Sequence, residues 1–260
     1  MKRQQPCIVI TGAAAGIGRA TAHYFARKGW QLGVFDIDAS GLQQLTDSLG
    51  DKNIIHGRLE VCSVENWATV LSDFFQRTGR IDVLFNNAGI LSSGAFSEIP
   101  VQRHHQMVDV NIKGMMNGCY AGLPYLRQTP GSRVINMASA SAIYGQPQLA
   151  TYSATKFAVR GFTEALDLEW QALDIRVMDI MPLFVQTAMV KNMQAKAVAR
   201  LGVHLTPENI AEVVWKAATF SGRRSRVHWF AGRNTHLFYT LSGVTPDWLV
   251  RQINHYLTAS

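Results

Sequence analysis

Short apolar runs alternate with longer stretches of helical periodicity along almost the whole chain. The runs are rich in β-branched residues and predict strands at 6–11, 31–35, 53–61, 81–85, 132–138, 175–181 and 226–230. The intervening stretches predict helices from Arg19 onward and at 40–49, 64–77, 100–127 and 152–173. This alternation is typical of the α/β class, a doubly wound, mostly parallel sheet with helices on both faces. No repeat or linker interrupts it, so residues 1–260 are interpreted as a single domain.

Composition and charge narrow the class of protein. The 260 residues are 47% apolar and 17% charged, as in an ordinary globular protein. Three cysteines without metal-ligand spacing are interpreted as reduced thiols of a cytoplasmic protein without a metal site: Cys7, Cys62 and Cys119. No apolar run approaches the roughly 18 residues that cross a membrane.

The net charge of +7 is unevenly distributed. Between Lys191 and Arg233 there are eight basic and two acidic residues. A solvated face explains this, and so does an acidic substrate or peripheral association with an anionic membrane. No nucleic-acid-binding motif accompanies the charge, so nucleic acid is not a predicted partner.

A glycine-rich turn, TGAAAGIG at 11–18, joins the first strand to the first helix. The backbone N–H groups of such a turn and the helix N-terminus can bind a pyrophosphate. Asp36 ends the second strand, where a carboxylate accepts hydrogen bonds from the adenosine ribose and repels a 2′-phosphate. Neither Ala15 nor Ile37 is basic, so NAD is predicted over NADP. The alternative is an aspartate that merely ends a strand.

A serine, a tyrosine and a lysine follow the fifth strand. Tyr152 and Lys156 would lie one turn apart on a helix, where the ammonium would lower the phenol's pKa. Such a phenol can take and return a proton near neutral pH, and Ser139 can bind the oxygen that carries it. Alone, the pair would more often be a solvated tyrosine beside a lysine. Here the glycine-rich turn, Asp36 and Asn87 also follow strand ends, which meet at one edge of a parallel sheet.

These residues resemble the short-chain dehydrogenase/reductase family in its common branch. The resemblance covers about 7–230 and lies in TGAAAGIG, Asp36, NNAG at 86–89, Asn111, Ser139 and YSATK at 152–156. It implies a Rossmann fold with a seven-stranded sheet, a nicotinamide cofactor, and hydride transfer between an alcohol and a carbonyl. We also expect a homodimer or homotetramer.

The resemblance implies specific roles for four residues. Tyr152 would be the general acid/base, and Lys156 would lower its pKa and bind the nicotinamide ribose. Ser139 would bind the substrate oxygen, and Asn111, unfavourable in mid-helix, would hold a water that links Lys156 to solvent. The implied cofactor contacts are Gly12, Ala14, Gly16, Ile17, Gly18, Asp36, Ile37, Glu60, Val61, Asn87, Ala88, Gly89, Tyr152, Lys156, Pro182, Val185 and Thr187.

The chain departs from the family pattern in two places. Pro182 is followed by Leu183 where the family usually has glycine, which adds a side chain beside the nicotinamide. Glu60 precedes Val61 where an aspartate is common, so an adenine contact falls more firmly on the Val61 backbone.

A predicted substrate loop at 187–206 contributes Met189, Val190 and Met193 to a largely apolar pocket. An apolar pocket favours a hydrophobic alcohol or ketone of long-chain, retinoid-like or steroid-like type. The alternative is that half of these side chains pack the loop onto the core. The predicted substrate contacts are Ser139, Ser141, Ile143, Leu149, Tyr152, Leu183 and Phe184.

A C-terminal extension, 234–260, carries many large apolar residues. It predicts two short helices divided at Thr245–Pro246, the second capped by Thr245 or Asp247. The extension would close the pocket, join a subunit or lie on a membrane. Two non-enzymatic functions stay open as alternatives, an NAD(H)-binding sensor and a membrane-surface protein without turnover.

Overall fold

The computed structural model has one seven-stranded parallel sheet, in the order β3-β2-β1-β4-β5-β6-β7. The structure describes residues 5–50, 53–191, 193, 202–222, 226–242, 245–246, 248–249, 251–252 and 255. The strands are β1 Cys7–Thr11, β2 Gln31–Asp36, β3 Ile54–Arg58, β4 Val83–Asn86, β5 Arg133–Met137, β6 Arg176–Pro182 and β7 His228–Ala231. The strand order reverses between β1 and β4, where a doubly wound sheet opens a crevice at its carboxyl edge.

Helices cover both faces of this sheet. They are α1 Gly16–Arg27, α2 Ala39–Leu49, α3 Val64–Thr78, α4 Val101–Val108, α5 Met115–Leu126, α6 Ala150–Glu169, α7 Ala188–Lys191, α8 Pro207–Ala218 and α9 Arg233–Ser242. Short 3₁₀ turns lie at Phe96–Glu98, Ala140–Ala142 and Gln171–Leu173.

Alternate residues of the strands enter two separate cores. On one face Ile8 and Ile10 pack with the helix residues Phe25, Leu45 and Val214. On the other face Cys7 and Val9 pack with buried residues of α3, α5 and α6, namely Trp67, Leu71, Phe74, Cys119 and Leu166. Burial on both faces explains why the strands have continuous apolar sequences rather than alternating ones. The predicted fold class is therefore confirmed.

Several predicted boundaries are wrong. The predicted strand 53–61 ends at Arg58, and the predicted helix 152–173 covers Ala150–Glu169 before a 3₁₀ turn. The predicted helix 100–127 is interrupted by a π-helical segment, Asp109–Gly114. Helix α8 was not predicted, although Thr206 caps it in a capping box with Asn209 and proline occupies its first turn.

The predicted C-terminal extension begins in helix α9. Thr245 donates its hydroxyl hydrogen to the carbonyl oxygen of Leu241 at 2.6 Å, at the end of α9, and its role as a cap of a second helix stays a prediction. Asp247, the alternative predicted cap, lies outside the described residues. Among the helices the structure describes, none is both long enough and apolar enough to cross a membrane.

Candidate active site

A cavity of about 560 Å³ lies at the carboxyl edge of the sheet. It brings together most predicted site residues: Gly12, Gly16, Ile17, Asp36, Ile37, Glu60, Val61, Asn87, Ala88, Gly89, Ser139, Ser141, Tyr152, Lys156, Pro182, Leu183, Phe184, Val185 and Thr187. Five other predicted residues do not line this cavity, namely Ala14, Gly18, Asn111, Ile143 and Leu149.

The glycine-rich turn is held tightly against the end of β4. Asn87 donates its Nδ2 hydrogens to the carbonyl oxygens of Thr11 at 2.9 Å and Gly12 at 3.1 Å. Gly12 has a φ of +62°, and a Cβ there would lie 2.9 Å from the Cα of Ala88. A Cβ on Gly18 would overlap the carbonyl oxygen of Gly12. Packing within the turn therefore requires glycine at both positions, and the positive φ of Gly12 adds a conformational requirement there.

The N-terminus of α1 faces the cavity without a side-chain cap. Its N-cap residue is Ala15, and its first turn has no acidic residue. Ala15, Gly16 and Ile17 line the cavity. Uncapped N–H groups and the positive end of the helix dipole form an anion-binding site, so this end of the cavity fits a pyrophosphate.

Asp36 lies at the opposite side of the same turn. Its Oδ2 accepts a hydrogen bond from the Ala14 N–H at 2.9 Å, and its Oδ1 accepts one from the Asp38 N–H at 3.0 Å. The carboxylate is thus fixed at the cavity wall with lone pairs left for hydroxyl donors. Ala14, a predicted cofactor contact outside the lining, instead orients this carboxylate.

Tyr152, Ser139 and Lys156 meet at the other end of the cavity. The Lys156 Nζ lies 5.5 Å from the centre of the Tyr152 ring and donates a hydrogen bond to the carbonyl oxygen of Met137 at 2.7 Å. Burial lowers the pKa of Lys156 to about 8. The chain therefore has the predicted catalytic trio within one site.

The predicted acidic phenol is not found in this structure. Burial raises the pKa of Tyr152 to about 12, and a hydrogen bond with Ser139 opposes that rise. A Tyr–Lys spacing indicates the effect of the ammonium, but the loss of water around the buried phenol disfavours the phenolate and outweighs it.

Asn111 lies in the π-helical segment with 2% of its surface exposed. Its Oδ1 accepts a hydrogen bond from the Ile90 N–H at 2.8 Å. Its Nδ2 donates to the Ile90 carbonyl at 2.9 Å and to the Thr155 hydroxyl at 3.1 Å. The side chain thus joins the loop after β4 to α6, and its role in holding a water stays a prediction.

His104 is a buried residue near the site that the sequence analysis missed. Its Nε2 lies 3.1 Å from the Phe96 carbonyl oxygen, and its Nδ1 lies 2.7 Å from the hydroxyl oxygen of Thr151. The sequence held one signal, since His104 precedes Asn111 by two helical turns and therefore shares its face. The analysis also missed other lining residues, including Cys62, Ile90, Leu91, Gln106, Asp109 and Val110.

The predicted substrate residues divide into two groups. Ser141, Leu183 and Phe184 line the cavity, as do Met189, Val190 and Met193 of the predicted loop. Ile143 and Leu149 are buried, and Ile143 packs with Met181 and other residues of a small apolar core. Residues 194–201 of the predicted substrate loop lie outside the described residues. A β-bridge between Val185 and Leu205 joins the two ends of this segment.

A partly buried network of charged residues lies outside the cavity lining. The two ring nitrogens of His228 lie 2.9 Å from Asp179 Oδ2 and 3.0 Å from Glu164 Oε1. Glu164 Oε1 also accepts a hydrogen bond from Arg160 at 2.9 Å. Burial raises the pKa of Asp179 to about 6. Burial lowers the pKa of His228, but Asp179 and Glu164 outweigh that effect and leave it raised.

Comparison with known proteins identifies similar chains. The family model described as short chain dehydrogenase matches residues 6–198. A 3-oxoacyl-[acyl-carrier-protein] reductase, FabG of Thermotoga maritima, is 31% identical over 225 residues, which cover 82% of this chain and 90% of that protein. A 3-beta-hydroxysteroid dehydrogenase of Comamonas testosteroni is 32% identical over 219 residues, covering 79% and 85%.

Solved structures agree with the sequence relatives. A short-chain dehydrogenase/reductase of Brucella melitensis, of the glucose/ribitol dehydrogenase type, is 28% identical with a TM-score of 0.79, over 88% of this chain and 96% of that one. The closed form of a serine dehydrogenase complexed with NADP⁺ is 27% identical with a TM-score of 0.79, over 86% and 93%.

Proposed function

The chain belongs to the short-chain dehydrogenase family and is an oxidoreductase acting on CH–OH groups, and from this we propose that it interconverts a hydrophobic alcohol and its carbonyl with NAD(H). One observation carries the proposal. Ser139, Tyr152 and Lys156 line the same cavity as the uncapped start of α1 and Asp36. Residues that could transfer a proton and residues that could bind a dinucleotide thus line one cavity.

The residues present fit a nicotinamide dinucleotide. The N–H groups at the start of α1 would hold the pyrophosphate, and Asp36 would accept hydrogen bonds from the adenosine ribose. Val61, Asn87 and the loop after β4 would line the adenosine side, with Pro182, Val185 and Thr187 at the carboxamide. When bound, the cofactor supplies the hydride chemistry. The fixed carboxylate of Asp36 supports NAD(H) over NADP(H), because it would repel a 2′-phosphate.

Tyr152 would hold and transfer the proton. With a pKa of about 12 it is protonated at neutral pH, which suits proton donation to a carbonyl oxygen. In the oxidation direction the phenol must lose a proton, so the Lys156 ammonium would have to approach it and lower its pKa. Ser139, whose hydroxyl hydrogen-bonds the Tyr152 phenol, has one hydrogen to donate and would turn it from Tyr152 to the substrate oxygen. Two donors aimed at that oxygen stabilise the charge that develops on it.

The cavity wall supports a hydrophobic substrate. The described lining includes apolar side chains, among them Leu91, Leu183, Phe184, Met189, Val190 and Met193, beside polar ones such as Gln106, Asp109, Ser139 and Ser141. An anionic substrate would lose its hydration there, and among the described lining residues Lys156 is the only cationic side chain that could compensate for that loss. The relative named as a 3-beta-hydroxysteroid dehydrogenase is consistent with a large apolar alcohol.

The domain organisation and oligomeric state are also part of what we propose. We take 1–260 as a single domain in which 187–206 covers the substrate and 234–260 contributes to subunit contacts or to pocket closure. A homodimer or homotetramer in the cytoplasm is the expected form.

The test measures cofactor binding and turnover separately. Wild-type protein and Tyr152→Phe would be titrated with NADH and NADPH and then assayed with hydrophobic alcohols and ketones at the nicotinamide absorbance band. We expect both proteins to bind NADH more tightly than NADPH. Tyr152→Phe should lose about 10²- to 10⁴-fold in turnover. NADH binding without turnover of any compound would overturn the enzymatic proposal and favour an NAD(H) sensor.

A further inference from the structure

Two side chains of one helical segment connect the same two walls of the cavity. Asn111 bonds the Ile90 backbone on one side and the Thr155 hydroxyl on the other. His104 contacts the Phe96 carbonyl on one side and the Thr151 hydroxyl on the other. Both therefore join the loop after β4 to helix α6.

The two connections end beside the two proposed catalytic residues of that helix. Thr151 directly precedes Tyr152, and Thr155 directly precedes Lys156. Thr155 also donates its hydroxyl hydrogen to the Tyr152 carbonyl oxygen at 2.7 Å. His104 thus contacts the residue before Tyr152, and Asn111 contacts the residue before Lys156.

The chemistry of the imidazole fits a fixed connection. A carbonyl oxygen only accepts hydrogen bonds, so Nε2 carries a hydrogen and donates it to Phe96. In the neutral ring Nδ1 then accepts the hydroxyl hydrogen of Thr151. The ring is 8% exposed and stacks on the Phe96 ring at 4.5 Å, so it has little freedom to rotate.

The first turn of α6 needs such support. Its N-cap residue, Leu149, provides no side-chain cap. In the same turn, Ser153 Oγ accepts a hydrogen bond from the Gln146 N–H at 3.2 Å, which connects the turn to the segment just before it. The Thr151 hydroxyl ties the turn to α4, a separate helix.

We propose that His104 is a positioning residue for Tyr152, acting through Thr151. The inference rests on the proposed function, in which Tyr152 transfers the proton. A phenol must be held within a fraction of an ångström of its reacting partner, so loosening its helical turn reduces the rate more than it reduces binding.

The test uses His104→Phe, which keeps an aromatic ring but removes both nitrogens, and Thr151→Val, which removes the hydroxyl. His105→Phe on the exposed face of the same helix is the matched control. We expect kcat to fall about tenfold in both variants, with KM and the NADH Kd unchanged. The double variant should be no slower than either single one, because both remove the same connection. The pH profile of kcat should also shift, since the position of Tyr152 relative to Lys156 and Ser139 sets its pKa.

Hydrogen exchange of the amides at 150–156 gives a readout that needs no turnover. Exchange should be faster in His104→Phe and Thr151→Val than in wild type and His105→Phe. Faster exchange with an unchanged kcat and pH profile would overturn the inference, as would losses in kcat that multiply in the double variant. If the wild type turns over no compound, the proposed function fails, and equal exchange in His104→Phe and His105→Phe would overturn the positioning role independently.

Discussion

Lys156 is hydrogen-bonded through its Nζ to the carbonyl oxygen of Met137, the last residue of β5, at 2.7 Å. The ammonium is buried against the sheet, where no carboxylate is among its hydrogen-bond partners in the described residues. A cation held in this way is poorly solvated, which is why its pKa falls to about 8. The site therefore keeps a destabilising charge that is available to Tyr152.

Lys156→Met should stabilise the fold at neutral pH while it abolishes turnover. The pKa of Lys156 is lower in the folded state than in the unfolded chain, so folding is opposed below about pH 8, and stability recovers as the pH rises toward 10.5. We expect the free energy of unfolding in urea at pH 7 to rise by about 1–2 kcal/mol. Removing the buried charge stabilises the fold, and losing the hydrogen bond to Met137 offsets part of that effect. The gain in stability should disappear near pH 10.

Lys113→Met is the control, at an exposed lysine paired with Asp109, and it should bring no gain in stability. A less stable Lys156→Met protein at pH 7 would contradict this account.

Asp36→Asn should weaken the discrimination between NADH and NADPH. The amide keeps the size of the side chain and can accept from the Ala14 N–H, but it lacks the charge that repels a 2′-phosphate. Arg58 is the register neighbour of Asp36 on β3, and its guanidinium would then be available to attract that phosphate. We expect the ratio of the two Kd values to shift toward NADPH by about tenfold or more, as measured by fluorescence titration.

Two further variants test this explanation. Asp36→Asn combined with Arg58→Ala should lose the improvement in NADPH binding. Asp73→Asn, at an exposed residue of α3, should leave both affinities unchanged. An unaltered ratio in Asp36→Asn would mean that another part of the cavity selects the cofactor.

His228 should make stability fall as the pH rises above neutrality. Its folded-state pKa lies above 6.5, because Asp179 and Glu164 outweigh burial, so its contribution is complete below pH 6.5 and is lost through the folded-state pKa. His228→Gln should remove about 1 kcal/mol at pH 6 and flatten the dependence of Tm on pH between 6.5 and 8.5. The exposed His56→Gln should retain the wild-type slope. Parallel Tm curves for wild type and His228→Gln would show that the imidazole is not charged in the fold.

Leu183→Ala should widen the cavity at the position where the family usually has glycine. Leu183 lines the cavity and also packs against the small core that contains Ile143 and Met181. We expect a loss of about 2 kcal/mol in stability and a lower KM for bulkier substrates relative to smaller ones. Leu237→Ala on the exposed side of α9 is the control. An unchanged order of substrate preference would place the substrate away from Leu183.

Sequence reasoning predicted the fold because strands buried on both faces carry an unmistakable apolar pattern. It also placed Gly12, Asp36, Asn87 and Ser139 together, because parallel strands end at one edge of the sheet. It could not separate cavity lining from core for apolar residues, so Ile143 and Leu149 were assigned to the substrate.

The errors elsewhere have the same physical origin. The pKa of Tyr152 depends on desolvation by residues far away in the sequence, which a local Tyr–Lys spacing does not reveal. His104 acquires its partners, Phe96 and Thr151, only when two distant segments meet. By contrast, the capping box of α8 is local and could have been predicted from Thr206 and Pro207.

The β-bridge between Val185 and Leu205 lies outside the seven strands and brings the chain back to the point where it leaves the end of β6. A second contact lies beside it, since the Gln186 backbone N–H donates a hydrogen bond to the Leu205 carbonyl oxygen at 2.8 Å. These two contacts hold together the start and the end of the predicted substrate loop, 187–206. We therefore expect substitutions within this proposed substrate loop to change substrate selectivity, while Asp36, Ser139 and Tyr152, which lie outside it, keep their places at the cavity.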